Sequence, residues 1–123
     1  METETKAEQL VTKLIRETNA GKVLWKTRDA PTGLVRGTED FIPLFFDTIY
    51  KGKHIGIYLK RFKSFVDESE FFWSETVGLC ITDYQDRVVW ELEERSPALY
   101  DLFKTAREQA SGIGNLLDDL LED

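Results

Sequence analysis

Apolar residues change their spacing twice along the chain. Ala7, Leu10, Val11, Leu14 and Ile15 follow the i, i+3, i+4, i+7, i+8 rule of a one-faced helix, which predicts a helix over 5–20. Thr5 and Glu8 have capping-box spacing at its start, and Gly21 stands where a helix often ends. From there the period shortens to two. KVLWKT (22–27) alternates Val23 and Trp25 with polar neighbours and predicts a short strand. DAPTGLVRGTED (29–40), with its Pro and two Gly, reads as an irregular connection. Strands follow at 41–50, 53–62, 71–82 and 87–92. Lys51-Gly52 is a two-residue hairpin turn in which Gly supplies a positive φ, and residues 83–86 make a four-residue turn.

These turns imply a register. Folding about Lys51-Gly52 sets Thr48 opposite Ile55, Phe46 opposite Ile57 and Leu44 opposite Leu59. Folding about 83–86 sets Ile81 opposite Val88, Leu79 opposite Trp90 and Val77 opposite Leu92. Joining the hairpins through 63–70 places Ile55 beside Leu79 and Ile57 beside Val77. One face then collects nearly every aliphatic residue, and a one-residue slip would send that set to the other side. Helical spacing returns after Ser96-Pro97, an N-cap followed by a first-turn proline. Leu99, Leu102, Phe103, Ala106 and Ala110 form one stripe; Ser111-Gly112-Ile113-Gly114 interrupts it; Ile113, Leu116, Leu117, Leu120 and Leu121 restart it in a short acidic helix. The order predicts an α+β fold in two layers: an antiparallel meander of about five strands, one N-terminal and two C-terminal helices, in a single domain over 1–123.

Composition narrows what such a domain can do. With 123 residues, 41% hydrophobic and 12% aromatic, the chain can bury a core without disulfides or a structural metal. A net charge of −7 has the wrong sign for a protein that coats DNA. One cysteine and one histidine cannot build a zinc cage or a disulfide framework. The opening METETKAEQL lacks the pattern of a signal peptide, and FIPLFF is too short to span a bilayer, so a cytoplasmic protein that does not act in a membrane is expected.

Few residues suggest catalysis. The register makes Cys80 and His54 cross-strand neighbours on the face away from the aliphatic core, the minimum for a base-activated thiol. No third residue orients the imidazole and no amide nest is recognisable, so a small apolar filler beside a hairpin tip explains the pair better. Asp67, Glu68, Glu70 and Glu75 lie between two strands and Asp118, Asp119, Glu122 and Asp123 close the chain, neither run with calcium-loop spacing. Gly33 and Gly37 bracket LVR without the Lys-Ser/Thr of a phosphate loop. No catalytic residue, cofactor or metal is assigned, and a non-enzymatic protein is expected.

Two surfaces are more informative. Thr48 to Val66 carries Lys51, Lys53, Lys60, Arg61 and Lys63 with no acid, which leaves −12 on the rest of the chain given −7 overall. Interleaved with Tyr50, Tyr58, Phe62 and Phe65, this hairpin has the composition of a platform for single-stranded nucleic acid, although alternation scatters its charges over both faces. Lysines guarding an edge hairpin are the plainer explanation. The second sheet face collects Phe45, Ile49, Tyr58, Phe62, Phe72, Cys80 and Val89 among charged residues, with Gly56 and Gly78 opposite each other near its middle. A face of this kind is expected either to bind protein, a second copy or a partner, or to be covered within the chain. Protein association through Phe45, Ile49, Tyr58, Phe62, Phe72 and Val89 is the leading expectation; single-stranded RNA binding through Lys51, Lys53, Lys60, Arg61 and Lys63 is the alternative.

The segments VTKLIRETNAGKVLW, DESEFFWSE and LYDLFKTAREQASGIGNLLDDLL resemble those of small bacterial single-domain α+β proteins. The resemblance implies a cytosolic single domain and assigns no residue a role.

Overall fold

The computed structural model describes residues 2–123, with side chains from Lys6 onward. Helix α1 (Glu2–Asn19) starts upstream of the expected boundary, and the Thr5 side chain of the expected capping box lies outside the described residues. Five strands follow as one antiparallel sheet in the order β1-β2-β3-β4-β5: β1 Lys26–Thr27, β2 Phe41–Tyr50, β3 Lys53–Phe65, β4 Phe71–Thr82 and β5 Val88–Glu94. Helices α2 (Pro97–Ser111) and α3 (Ile113–Leu121) close the chain. This is the α+β meander that the spacing predicts. None of the described helices is long and apolar enough to cross a membrane.

The β2–β3 register is the expected one, with Thr48 opposite Ile55, Phe46 opposite Ile57 and Leu44 opposite Leu59. Lys51 and Gly52 both take positive φ, 52° and 78°, so the turn draws a left-handed conformation from a lysine as well as from the glycine. The β3–β4 register differs from expectation by two residues: Ile55 faces Ile81, Ile57 faces Leu79 and Leu59 faces Val77. The strands pair out to Phe65 and Phe71, and residues 66–70 make the connection. There Asp67 Oδ1 accepts from the Ser69 and Glu70 amides and from the Ser69 hydroxyl. A shift of two leaves every side chain on its predicted face. The β4–β5 register also differs from expectation: Ile81 faces Trp90 and not Val88, Leu79 faces Leu92 and not Trp90, and Val77 faces Glu94 and not Leu92, while beyond a bulge between Ile81 and Thr82 it is Thr82 that faces Val88. A second bulge lies between Phe41 and Leu44. Each adds one residue and so turns a side chain over, which delivers Ile42 and Val88 to the second face.

Val11 and Leu14 of α1, Leu99, Leu102, Phe103 and Ala106 of α2, and Phe46, Ile55, Ile57, Val77 and Leu79 of the sheet form the main core on the first face. Val23 and Trp25 join it, yet the expected strand at 22–27 is reduced to two residues. The reason is where its polar groups go. The Lys22 and Val23 amides donate to the Glu17 carbonyl and the Trp25 amide donates to Gln109 Oε1 at 2.7 Å, so helices take bonds that a ladder would have used, while the Trp25 indole Nε1 donates to Thr18 Oγ1 at 3.0 Å. Ser96 caps α2, its hydroxyl accepting from the Leu99 amide at 3.1 Å, and Gly112 ends that helix in the left-handed conformation at φ 63°.

Candidate protein-association surface

The second face is covered within the chain at its centre. Leu34, from a 3-10 turn at Thr32–Leu34, packs with Phe45, Tyr58 and Cys80, and Ala30, Ile42 and Val88 adjoin them. Phe45 and Tyr58 stack with centroids 5.7 Å apart at 18°, and the Arg28 guanidinium lies 5.7 Å above the Phe45 ring. The two glycines make room for this layer. A Cβ on Gly56 would stand 2.2 Å from Phe45 Cζ, and one on Gly78 would stand 2.2 Å from Tyr58 Cζ. Gly56 faces Cys80 and Gly78 faces Tyr58, so the glycines are offset, each lying under the ring of the neighbouring strand.

This cover corrects part of the expected interface. Phe45 and Tyr58, 3% and 0% exposed, are core residues because the 29–40 connection folds back over them. Phe62 is half-buried. Ile49, Phe72 and Val89 are exposed, each toward the rim of the sheet. The bulge sends Val88 inward in place of Val89.

The basic hairpin is likewise divided. Lys60 is buried, donating to Glu93 Oε1 and Oε2 at 3.2 and 3.0 Å beside Asp40, and the Tyr58 hydroxyl donates to the same Glu93 Oε2 at 2.7 Å. Arg61 pairs with Glu75 at 2.8 Å and Lys63 with Glu39 at 2.7 Å. Lys51 and Lys53 stand exposed at the hairpin turn, apart from the other three.

Nor are Cys80 and His54 brought together as a cross-strand pair: Cys80 faces Gly56 and His54 faces Thr82, a consequence of the two-residue register shift. Burial pushes the Cys80 thiol up to about 12, against a bond from the Gly56 backbone that lowers it. A thiol held neutral at physiological pH is a poor nucleophile. Burial, with the Glu93 hydrogen bond second, also holds the Tyr58 phenol far above its ordinary range. Asp67 lies in its own turn and Glu75 on Arg61, and among the described residues no three His, Cys, Asp or Glu side chains are grouped to hold a metal ion.

The exposed aromatic surface lies elsewhere, on the first face beyond the helices. A β3 of 13 residues runs for roughly 43 Å, whereas α2 with 15 residues covers roughly 22 Å. The far end of the β3–β4 hairpin therefore projects past the helical layer. There Trp73 meets Phe41 edge-on at 5.3 Å and Phe71 at 5.9 Å, and Phe65 meets Phe71 at 5.8 Å. Phe65 is 64% exposed and Trp73 46%. The Lys63 ammonium lies 4.4 Å from the Phe71 ring centre and the Arg61 guanidinium 5.9 Å from that of Phe41. Four contacting rings with two cations among them make a preformed apolar patch with a charged rim. Nearer the helices an open groove of about 390 Å³, lined by Leu59, Glu75, Val77, Arg95, Pro97 and Tyr100, carries the first face on under the start of α2.

Phe71 and Trp73 alternate with Phe72 and so share the core face with Val77 and Leu79, where exposed rings have the same pattern as core residues. The signal that separates them from the core is length: strands that outrun their helices leave their ends uncovered.

No family model, curated protein or solved structure matches this chain.

Proposed function

We propose that this chain is a non-enzymatic protein-association module that works in the cytoplasm and binds through the aromatic end of its β3–β4 hairpin. The observation that carries the proposal is the contiguous, exposed cluster of Phe41, Phe65, Phe71 and Trp73, rings in mutual contact on two paired strands. Aromatic anchors held rigid before binding lose little conformational freedom on association, which is why such residues dominate binding energy at interfaces. Arg61 and Lys63, each paired with an exposed or half-exposed carboxylate of the same chain, give the rim exchangeable charge. A single buried free thiol suits a reducing compartment. RNA binding through the hairpin has weaker support, because Lys60 is buried on Glu93 and Lys51 and Lys53 stand at the turn, apart from Arg61 and Lys63.

A photo-crosslinking amino acid placed at position 65 tests this in cells, with position 84 as control. Tyr84 is 86% exposed, in the β4–β5 turn. A discrete protein adduct from position 65 that is absent from position 84 is the expected result. No adduct from position 65, or the same pattern from both, overturns it.

A further inference from the structure

We propose that helix α3 of one copy docks in a basic groove at the β1 edge of a second copy, and that the exchange is reciprocal and closes a dimer. The groove, of about 400 Å³, is lined by Lys22, Leu24, Lys26, Asp47, Ile49 and His54. It lies at the opposite end of β3 from the aromatic cluster, so this proposal and the association surface above stand or fall separately. Leu24 and Ile49 are 63% and 65% exposed. Among the described residues Lys22, Lys26, Lys51 and Lys53 take part in no ion pair, whereas Asp47 is engaged by Arg28 at 3.7 Å. Residues 22–29 and 47–54 carry Lys22, Lys26, Arg28, Lys51 and Lys53 against Asp29 and Asp47, a sum of +3. Counting in Asp83, Asp86 and Arg87 of the neighbouring turn still leaves +2. The rest of the chain is strongly acidic, since the total is −7, so this end is a local exception.

Helix α3 is the complement of that groove. It has only nine residues, and such a helix alone is marginal in water. Ile113, Leu116, Leu117, Leu120 and Leu121 nevertheless lie on one stripe with no residue buried, Leu120 and Leu121 being 71% and 81% exposed. Asp118 and Asp119 fall on either flank of the stripe, and residues 113–123 carry −4 with no cation. Two such helices would repel one another, and the aromatic end has Asp67, Glu68 and Glu70 in its turn, so charge selects the basic groove as the dock. Position selects it as well. Helix α2 lies on the first face and its last turn reaches the β1 edge, where Gln109 Oε1 accepts from the Trp25 amide, so α3 starts at that edge. The groove opens at the same edge on the second face, because Asp47, Ile49 and His54 alternate with the first-face residues Thr48 and Ile55. A two-fold axis along the edge turns the partner's second face toward the side on which α3 leaves α2. Each helix then meets the other copy's groove, the two contacts are equivalent, and the assembly is closed.

Sedimentation of the full chain across a concentration series gives the test. Wild type is expected to dimerise. Lys22→Glu with Lys26→Glu, and separately Asp118→Lys with Asp119→Lys, should each weaken the dimer by at least roughly tenfold, because like charges then face each other in both contacts. Circular dichroism should show both variants folded, because all four side chains are exposed. An equimolar mixture of the two variants should restore the dimer. The acidic helix of the first meets the basic groove of the second, and the lysine-flanked helix of the second meets the reversed groove of the first. A monomeric wild type, a variant that keeps wild-type affinity, or a mixture without recovery overturns the proposal. The crosslink at position 65 reads the aromatic end alone, so failure of the dimer leaves that surface standing.

Discussion

Two aromatic layers of this sheet have much the same composition and opposite fates. Phe45 and Tyr58 on the second face stack with Arg28 above them, and Phe41, Phe71 and Trp73 on the first face contact one another with Arg61 and Lys63 alongside. The first group is buried and the second is open. Neither hydrophobicity nor charge separates them. What separates them is reach: the 29–40 connection lays Ala30 and Leu34 over the middle of one face, and the helices stop before the end of the other. A solvent-exposed ring cluster is therefore a property of what lies above it.

The largest break in this comparison comes from removing the space under the buried rings. Gly78→Ala places a methyl 2.2 Å from Tyr58 Cζ in a layer closed from above by the connection, and a rigid stack has nowhere to move. A loss of about 3–4 kcal/mol is expected in urea unfolding. A change below about 1 kcal/mol would mean that Tyr58 swings freely and that this layer is no second core.

Leu34→Ala removes the cover instead. Leu34 is buried in the small cluster with Phe45, Tyr58 and Cys80, and its truncation should cost about 2–3 kcal/mol, toward the lower end for a core leucine because a connection can settle into the gap. Labelling of Cys80 by a thiol reagent should accelerate in the same variant under native conditions. Unchanged labelling would show that the strands alone shield the thiol.

Much of this was legible and some was not, for identifiable reasons. Alternation placed Phe46, Ile57 and Leu79 on one face and Phe45, Tyr58 and Cys80 on the other, and the two-residue error in the β3–β4 register left every residue on its predicted side. Bulges are different. One extra residue near Val88 and one near Ile42 reverse those side chains, and nothing in a local pattern of period two announces a bulge. The fate of the second face was open because DAPTGLVRGTED has no periodicity to reveal that Leu34 points at the sheet. Alternation gives no sign that Phe71 and Trp73 are open, because they lie on the core face beyond the point where the core ends.

Alkaline titration gives a graded contrast between the layers. Cys80 is held neutral up to about 12, and the Tyr58 phenol is raised as well, both chiefly by burial. An acid whose folded pKa exceeds its unfolded one stabilises fully below the unfolded value, and that contribution is lost as pH rises through the folded value. For Cys80 the window opens near the ordinary thiol range, roughly 8.5, and closes near 12. Stability should fall there by up to about 1.4 kcal/mol per pH unit for each such group. Cys80→Ala should flatten the lower part of the slope, leaving Tyr58 to act above it. An identical slope in the variant would place the thiol in contact with water.

The smallest effect is expected where rings meet solvent. Phe65→Ser removes an aromatic side chain as Phe45→Ser would, yet Phe65 is 64% exposed and touches only the rim of its cluster at Phe71. A change within about 0.5 kcal/mol is expected for Phe65→Ser, against several kcal/mol for Phe45→Ser beneath the connection. Equal losses would mean that the aromatic end is structural. Near-neutral stability of Phe65→Ser, together with an adduct from the crosslinker at position 65 that position 84 does not give, would separate an interface from a core on the same sheet.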